Sequence, residues 1–99
     1  MPWTCFLADP QSDDRHKPGA LWQTSRQDGS KVWMLTLPNG APWNIYGSSS
    51  DGTPWTVTGD MPNITARPSI SSAYPPRQGY HGWLTDGELS NDLEGRTYP

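Results

Sequence analysis

Alternating apolar and polar positions, broken at short intervals by Gly, Pro, Asn and Asp, run through most of this chain. The alternation is clearest in residues 31–37, where Trp33, Leu35 and Leu37 share one face by the period of two that strands follow. This face is the more apolar one, so it is predicted to point inward. Residues 20–26 precede it, and Asp28-Gly29 between the two segments predicts a hairpin with a two-residue type I′ turn.

The same pattern predicts further short strands, at residues 2–8, 41–46, 55–59, 64–71, 80–84 and 88–90. In the first of these, Trp3, Cys5 and Leu7 should share a face. Pro68 cannot donate a backbone hydrogen bond, so the strand that contains it is expected to lie at a sheet edge or to be kinked there. Asp86-Gly87 predicts a second hairpin turn. No helical period is present.

These elements predict an all-β fold, a small single domain of short antiparallel strands and hairpins with an aromatic core. The domain is expected to span residues 1–90, with residues 91–99 as a loosely attached C-terminal tail. Only 32% of the residues are apolar, which is low for a globular protein, but six Trp, four Tyr and one Phe compensate. The 10 Gly and 11 Pro then supply turns.

The tryptophans are predicted to divide between core and surface, because a domain of this size cannot bury all six. Trp43, Trp55 and Trp83 lie in predicted strands and are expected in the core. The other three, which are candidates for an exposed binding surface, are Trp3, Trp22 and Trp33.

Charge and cysteine content exclude several classes of function. The net charge is −3 without a cluster of Lys or Arg, so we do not expect direct nucleic-acid binding. Cys5 is the sole cysteine, which excludes an internal disulfide and a Cys-based zinc site. His16 lies near Asp13 and Asp14, but the spacing fits no ligand pattern, and a solvated loop is expected. No segment approaches the ~20 apolar residues of a membrane span, and no secretory signal is evident.

Three motifs together resemble a family of unknown function that occurs in phages and beside ubiquitin-like conjugation genes in bacteria. They are W-T-V-T-G-D at 55–60, T-A-R-P-S-I at 65–70 and Y-H-G-W-L-T-D-G-E-L at 80–89. Many phage members of this family carry the label "ammonia monooxygenase". The family pattern couples a Trp and a Gly-Asp pair to a Pro-Ser-Ile element, and then to Cys-His and Asp-Gly. His81 and the Asp86-Gly87 pair match the last element.

The chain departs from this family at the residues that would bind zinc. Typical members have a Cys-x-x-Cys-like element upstream, where this chain has Leu-Pro-Asn-Gly at 37–40. Tyr80 stands in place of the Cys that precedes the histidine, and the segment after Glu88 contains neither Cys nor His. Because a tetrahedral site needs three or four ligands, we expect no metal and no cofactor, with an aromatic core in place of zinc.

The resemblance singles out His81 as the candidate for a chemical role. It is either a general base or a hydrogen-bond donor to a bound ligand, or else a structural imidazole. No Ser-His-Asp or Cys-His pattern is visible in the sequence, so no catalytic residue is assigned. Arg26, Lys31 and Arg67 are available to contact an anionic nucleotide. The full set of predicted binding residues is Trp22, Trp33, Arg26, Arg67, His81 and Trp83.

The resemblance and the missing catalytic pattern favour a non-enzymatic phage accessory protein that works by binding. One version inhibits a host defence system, by capturing a nucleotide or by masking a protein. The alternatives are a virion structural protein, such as a capsid decoration or tail-associated protein, and a His81-dependent enzyme. The expected partners are a host or phage protein or a small nucleotide, without a membrane, and a homo-oligomer is compatible with the sequence. The expected location is the host cytoplasm or the assembled virion.

Overall fold

Two β-sheets make up the fold of this protein in a computed structural model, which describes residues 3–47, 52 and 54–98. A 3₁₀ helix covers Asp13–His16, and the described residues contain no α-helix, and therefore none that could span a membrane. The described residues form nine strands, which are β1 (Trp3–Thr4), β2 (Phe6–Leu7), β3 (Ala20–Ser25), β4 (Lys31–Thr36), β5 (Pro42–Asn44), β6 (Thr56–Thr58), β7 (Thr65–Tyr74), β8 (Arg77–Thr85) and β9 (Glu88–Leu89).

The segment predicted as the first strand, residues 2–8, contributes one strand to each sheet, β1 and β2. The five-stranded sheet has the order β1-β9-β8-β7-β6 and the four-stranded sheet the order β2-β3-β4-β5, and every pairing except the parallel β2–β3 pair is antiparallel. The chain passes from one sheet to the other at Cys5, whose N–H donates to the Gly87 carbonyl at 2.7 Å. The single strand predicted over residues 2–8 is therefore split. Leu7 is 57% exposed instead of sharing an inward face with Cys5.

One hydrophobic cluster joins the inner faces of the two sheets, which confirms the predicted small all-β domain. Leu35 and Leu37 are fully buried, as their alternation predicts, and Trp33 packs against the cluster. Aromatic rings meet edge-on at two places. Trp43 and Trp55 have ring centroids 5.2 Å apart, and the second group consists of Trp3, Tyr80 and Tyr98 at 5.9–6.2 Å.

The two Asp-Gly hairpins form as predicted, but with different turns. At the β8–β9 turn both central residues have positive φ, 47° at Asp86 and 77° at Gly87, as a type I′ turn requires. At the β3–β4 turn only Gly29 has positive φ, and the Gly29 N–H donates to the Arg26 carbonyl. This is a three-residue loop in which glycine occupies the left-handed position, so the predicted two-residue turn is wrong there.

β7 is an interior strand between β6 and β8, and of the two alternatives predicted from Pro68 the kink is the correct one. The β7–β8 register shifts between Ala66 and Ile70, the stretch that contains the proline. Because the ladder is interrupted by a bulge at this point, no backbone N–H is required from Pro68. The bulge also changes which β7 side chains lie opposite β8.

The segment after β9 is held more firmly than the loose tail expected from its composition. The Asp92 carboxylate is buried and forms an ion pair with Arg96 at 2.9 Å. The Leu93 N–H donates to the His81 carbonyl at 2.7 Å, and the Tyr98 hydroxyl donates to the Gly79 carbonyl. The segment is thereby attached along β8, with its aromatic ring packed against the core.

The Cys5 thiol should be unreactive in the folded protein. Burial, with a smaller contribution from the negative charge of Glu88, raises the pKa of this thiol to about 12. Because only the thiolate is strongly nucleophilic, alkylation by iodoacetamide at neutral pH is expected to occur only when the domain opens. Mass spectrometry of labelling over a urea series tests this. Labelling of the native protein as fast as the unfolded protein would contradict it.

Candidate functional site

The outer face of the five-stranded sheet carries the candidate site. Along β8, Tyr80 and Leu84 point into the core and are fully buried, so His81 and Trp83 point to the other face. The Trp83 side chain is 38% exposed, and its predicted place in the core is wrong. Trp83 and Leu84 are neighbours on one strand and cannot both face inward.

The Arg67 side chain on β7 packs over the Trp83 ring. Its guanidinium carbon lies 5.1 Å from the centre of the indole, a cation–π arrangement. The same guanidinium donates to the Leu84 carbonyl at 2.9 Å and to the Thr85 hydroxyl at 3.0 Å. The planar fork of arginine is thus fixed at several points, which limits the freedom of the indole before any partner arrives.

Ser69 and His81 meet beside this pair, with the serine hydroxyl 2.9 Å from Nε2 of the imidazole. A hydrolytic serine also requires an acid that orients the histidine ring. The Asp92 carboxylate lies close in the fold, but it accepts from the backbone N–H of His81 at 2.8 Å and not from the ring. Among the described residues, the arrangement therefore supplies two polar side chains on the sheet surface and lacks the geometry of a Ser-His-Asp triad.

A cleft of about 470 Å³ borders Trp83 on the side of the β8–β9 turn, lined by Trp83, Thr85, Asp86, Glu88 and Ser90. Its charged members, Asp86 and Glu88, are both acidic and exposed. Thr65 holds the turn, because its hydroxyl accepts from the Asp86 N–H at 2.9 Å. Because Arg67 already covers the Trp83 ring, the two exposed carboxylates are the groups in this cleft that favour a cationic group of a partner.

The other predicted binding residues lie elsewhere. Trp22 is half-buried and its Nε1–H donates to the Thr36 hydroxyl at 3.0 Å. Since Trp22 pairs with Met34, it lies on the opposite face of its sheet from Trp33, which packs against the core. Arg26 lies in the β3–β4 turn. The structure therefore brings Arg67, His81 and Trp83 together, and places Trp22, Trp33 and Arg26 apart from them.

Several residues of the site were missed by sequence reasoning. Ser69 lies within the Pro-Ser-Ile motif, but its contact with His81 depends on the β7–β8 register after the bulge. The sequence predicts a turn at Asp86 and a strand at Glu88, and neither prediction indicates that the two carboxylates border Trp83. The strand alternation, which puts Thr85 on the same face as Trp83, is the signal that could have found this face.

The position at which the resembling family has a cysteine holds a buried aromatic residue. Tyr80 is fully buried, packs against Trp3 and Tyr98, and donates its hydroxyl to the Ser90 carbonyl at 2.6 Å. Within residues 3–47, 52 and 54–98, no three His, Cys, Asp or Glu side chains cluster as metal ligands would. Comparison with family models, curated proteins and solved structures gives no match for this chain.

Proposed function

We propose that this protein acts without catalysis, by binding a protein partner through the outer sheet face around Trp83. The observation that carries the proposal is the exposed indole, fixed by Arg67 and bordering an acidic cleft. Trp and Arg are the residue types that most often dominate the binding energy of an interface. A Lys or Arg side chain of the partner fits the cleft, because Asp86 and Glu88 supply complementary charge.

The motif resemblance supports a phage accessory protein that acts in the host cytoplasm and inhibits a defence system by masking a protein. The nucleotide version of this role has less support at this face. Arg26 and Lys31 lie at the β3–β4 turn, whereas Arg67 belongs to the other sheet and donates to the Leu84 carbonyl. A virion component remains the alternative, and detection of the chain in purified particles would favour it.

Trp83→Ala is expected to weaken partner binding by about 2 kcal/mol or more, which is roughly thirty-fold in Kd. A photoreactive aromatic amino acid at position 83, which keeps a ring in place of the indole, should cross-link one protein in the natural host, and mass spectrometry then identifies that protein. The matched control is the same probe at Tyr46, which is 63% exposed and follows the strands of the other sheet. Calorimetry with the identified protein then measures the affinities of wild type, Trp83→Ala and Tyr46→Ala.

Charge neutralisation tests the cationic contact separately. The double variant Asp86→Asn and Glu88→Gln keeps a residue suited to the type I′ turn while removing both negative charges. The affinity of this double variant for the partner should be lower than that of the wild type. Added salt should weaken its binding less than it weakens that of the wild type. Equal affinity of Trp83→Ala and wild type, or the same cross-linked proteins from positions 83 and 46, would exclude this face as the binding surface.

A further inference from the structure

A second cleft, of about 630 Å³, lies at the far end of β8 from Trp83, beside the β7–β8 turn. Four separate stretches of chain form its walls: the 3₁₀ segment with His16 and Pro18, the turn at residues 38–40, the turn at residues 76–78, and Tyr98 near the C-terminus. The volume falls within the range of small-molecule sites in proteins, about 300–1,000 Å³. Its residues are distinct from those around Trp83.

Buried hydrogen bonds fix the walls of this cleft. The Asn39 side chain is buried, accepts from the Ala41 N–H at 3.1 Å and donates to the Ser72 carbonyl at 3.4 Å. It therefore joins the turn of the four-stranded sheet to β7 of the other sheet. On the opposite side, Tyr98 is anchored by its hydroxyl to the Gly79 carbonyl. A cleft held in this way exists before a ligand binds, which lowers the entropy cost of binding.

Among the described residues that line the cleft, Arg77 and His16 are the basic ones, and none carries a carboxylate. The Arg77 guanidinium lies against Gly40, where a Cβ would leave it no room, and 5.6 Å from the centre of the Tyr74 ring. Within the described part of the chain, neither Arg77 nor His16 forms a side-chain hydrogen bond or ion pair. In a chain of net charge −3, a basic, unneutralised group directed at a cleft is suited to an anion.

We propose that this cleft binds a small phosphate monoester that carries a ring, such as a nucleoside monophosphate or a sugar phosphate. The planar fork of Arg77 matches two phosphate oxygens, and the His16 imidazole can donate to a third. The ring of the ligand packs against Pro38, Pro76 and the Tyr98 ring, which supply apolar surface in the same cleft. This binding site is independent of the protein-binding face around Trp83.

Isothermal titration calorimetry with AMP, glucose 6-phosphate, inorganic phosphate and adenosine tests the proposal on the intact chain. At least one of the two phosphate monoesters should bind saturably with a Kd on the order of 1 mM or tighter. Inorganic phosphate should bind more weakly, and adenosine, which lacks the anion, should not saturate. Arg77→Gln should weaken monoester binding at least about ten-fold, the loss of a charge-assisted contact. Arg26→Gln is the matched control and should leave it unchanged.

Amide chemical shifts in a nitrogen-15 NMR titration locate the ligand. Gly40 and Gln78 should shift, whereas Thr85 at the other end of β8 should not. Three results would each overturn the proposal. The first is that neither monoester nor phosphate saturates the protein. The others are equal binding by Arg77→Gln and Arg26→Gln, and equal binding of adenosine and AMP. Trp83→Ala should bind the monoester as the wild type does, so the failure of one site is distinguishable from failure of the other.

Discussion

Replacing Asp92 with Ala is expected to lower the free energy of unfolding by about 2–3 kcal/mol, because backbone N–H groups lose a charged acceptor while the Arg96 side chain, 31% exposed, can return to water. The carboxylate is fully shielded and accepts from the backbone N–H groups of His81, Glu94 and Arg96 at 2.8–3.0 Å. Two further hydrogen bonds come from the Arg96 side chain. Without the carboxylate these donors lose their acceptor, and the segment at residues 91–98 loses its attachment to β8.

Urea unfolding followed by tryptophan fluorescence measures this loss. Asp13→Ala is the matched control, because Asp13 is exposed and should change the free energy of unfolding by less than about 0.5 kcal/mol. The m-value should stay constant if the folded state of Asp92→Ala remains compact. A loss of less than about 1 kcal/mol for Asp92→Ala would show that the hydrogen bonds to this carboxylate contribute little to folding.

The same carboxylate should make stability sensitive to acid. Burial by itself raises the pKa of Asp92, but hydrogen bonds from Arg96 and from the N–H groups of His81 and Glu94 outweigh it and hold the pKa well below its usual range. The unfolded value is near 3.9, so the contribution is complete above that pH and is lost as the pH falls toward the folded value. The difference in unfolding free energy between wild type and Asp92→Asn should therefore shrink below about pH 4.

Gly82→Ala is expected to destabilise the protein by about 3 kcal/mol, the upper part of the range for overpacking a core. A Cβ at this position would fall on the Tyr80 hydroxyl and 2.8 Å from the Ser90 hydroxyl oxygen. Tyr80 is fully buried between Trp3 and Tyr98, and its hydroxyl donates to the Ser90 carbonyl. The new methyl group would therefore have to displace the Tyr80 side chain from these contacts.

A double-mutant cycle with Tyr80→Phe isolates this clash. Tyr80→Phe alone should cost about 1 kcal/mol, the value of one hydrogen bond. In the double variant the hydroxyl is absent, although the ring carbon that carried it would still lie 2.5 Å from the new methyl group. Part of the clash is relieved, so the loss of stability should be smaller than the sum of the two single losses. Thermal unfolding of the four proteins by circular dichroism gives the coupling. Additive losses would show that contact with the Tyr80 hydroxyl does not contribute to the cost of Gly82→Ala.

The local elements of this fold follow from the sequence because they depend on short-range rules. Alternation in residues 31–37 places Leu35 and Leu37 in the core. Positive φ at Asp86 and Gly87 requires the residue types found there. The missing N–H of Pro68 excludes a regular ladder, and a register shift is the outcome. The all-β class follows from the same short-range signals, whereas the small aromatic cluster was predicted from the composition.

The candidate site depended on pairings that no local pattern specifies. Trp83 and Leu84 are both apolar, so local sequence does not determine which of them is buried. Leu84 is buried because it packs into the core that both sheets form. Ser69 meets His81, and Arg67 meets Trp83, because the bulge in β7 sets the register across β8. Such contacts join residues 12 or more positions apart, so their geometry is a property of the assembled sheet.

The sequence by itself determined the short strands, the Asp86-Gly87 turn and the absence of cysteine ligands for a metal. Tertiary structure decided that the polar segment after β9 is an anchored part of the domain. From the sequence alone, Asp92 is expected to be exposed, because burying an unpaired carboxylate is very costly. That cost is offset only where several donors converge, and His81, Glu94 and Arg96 converge on it only in the folded chain.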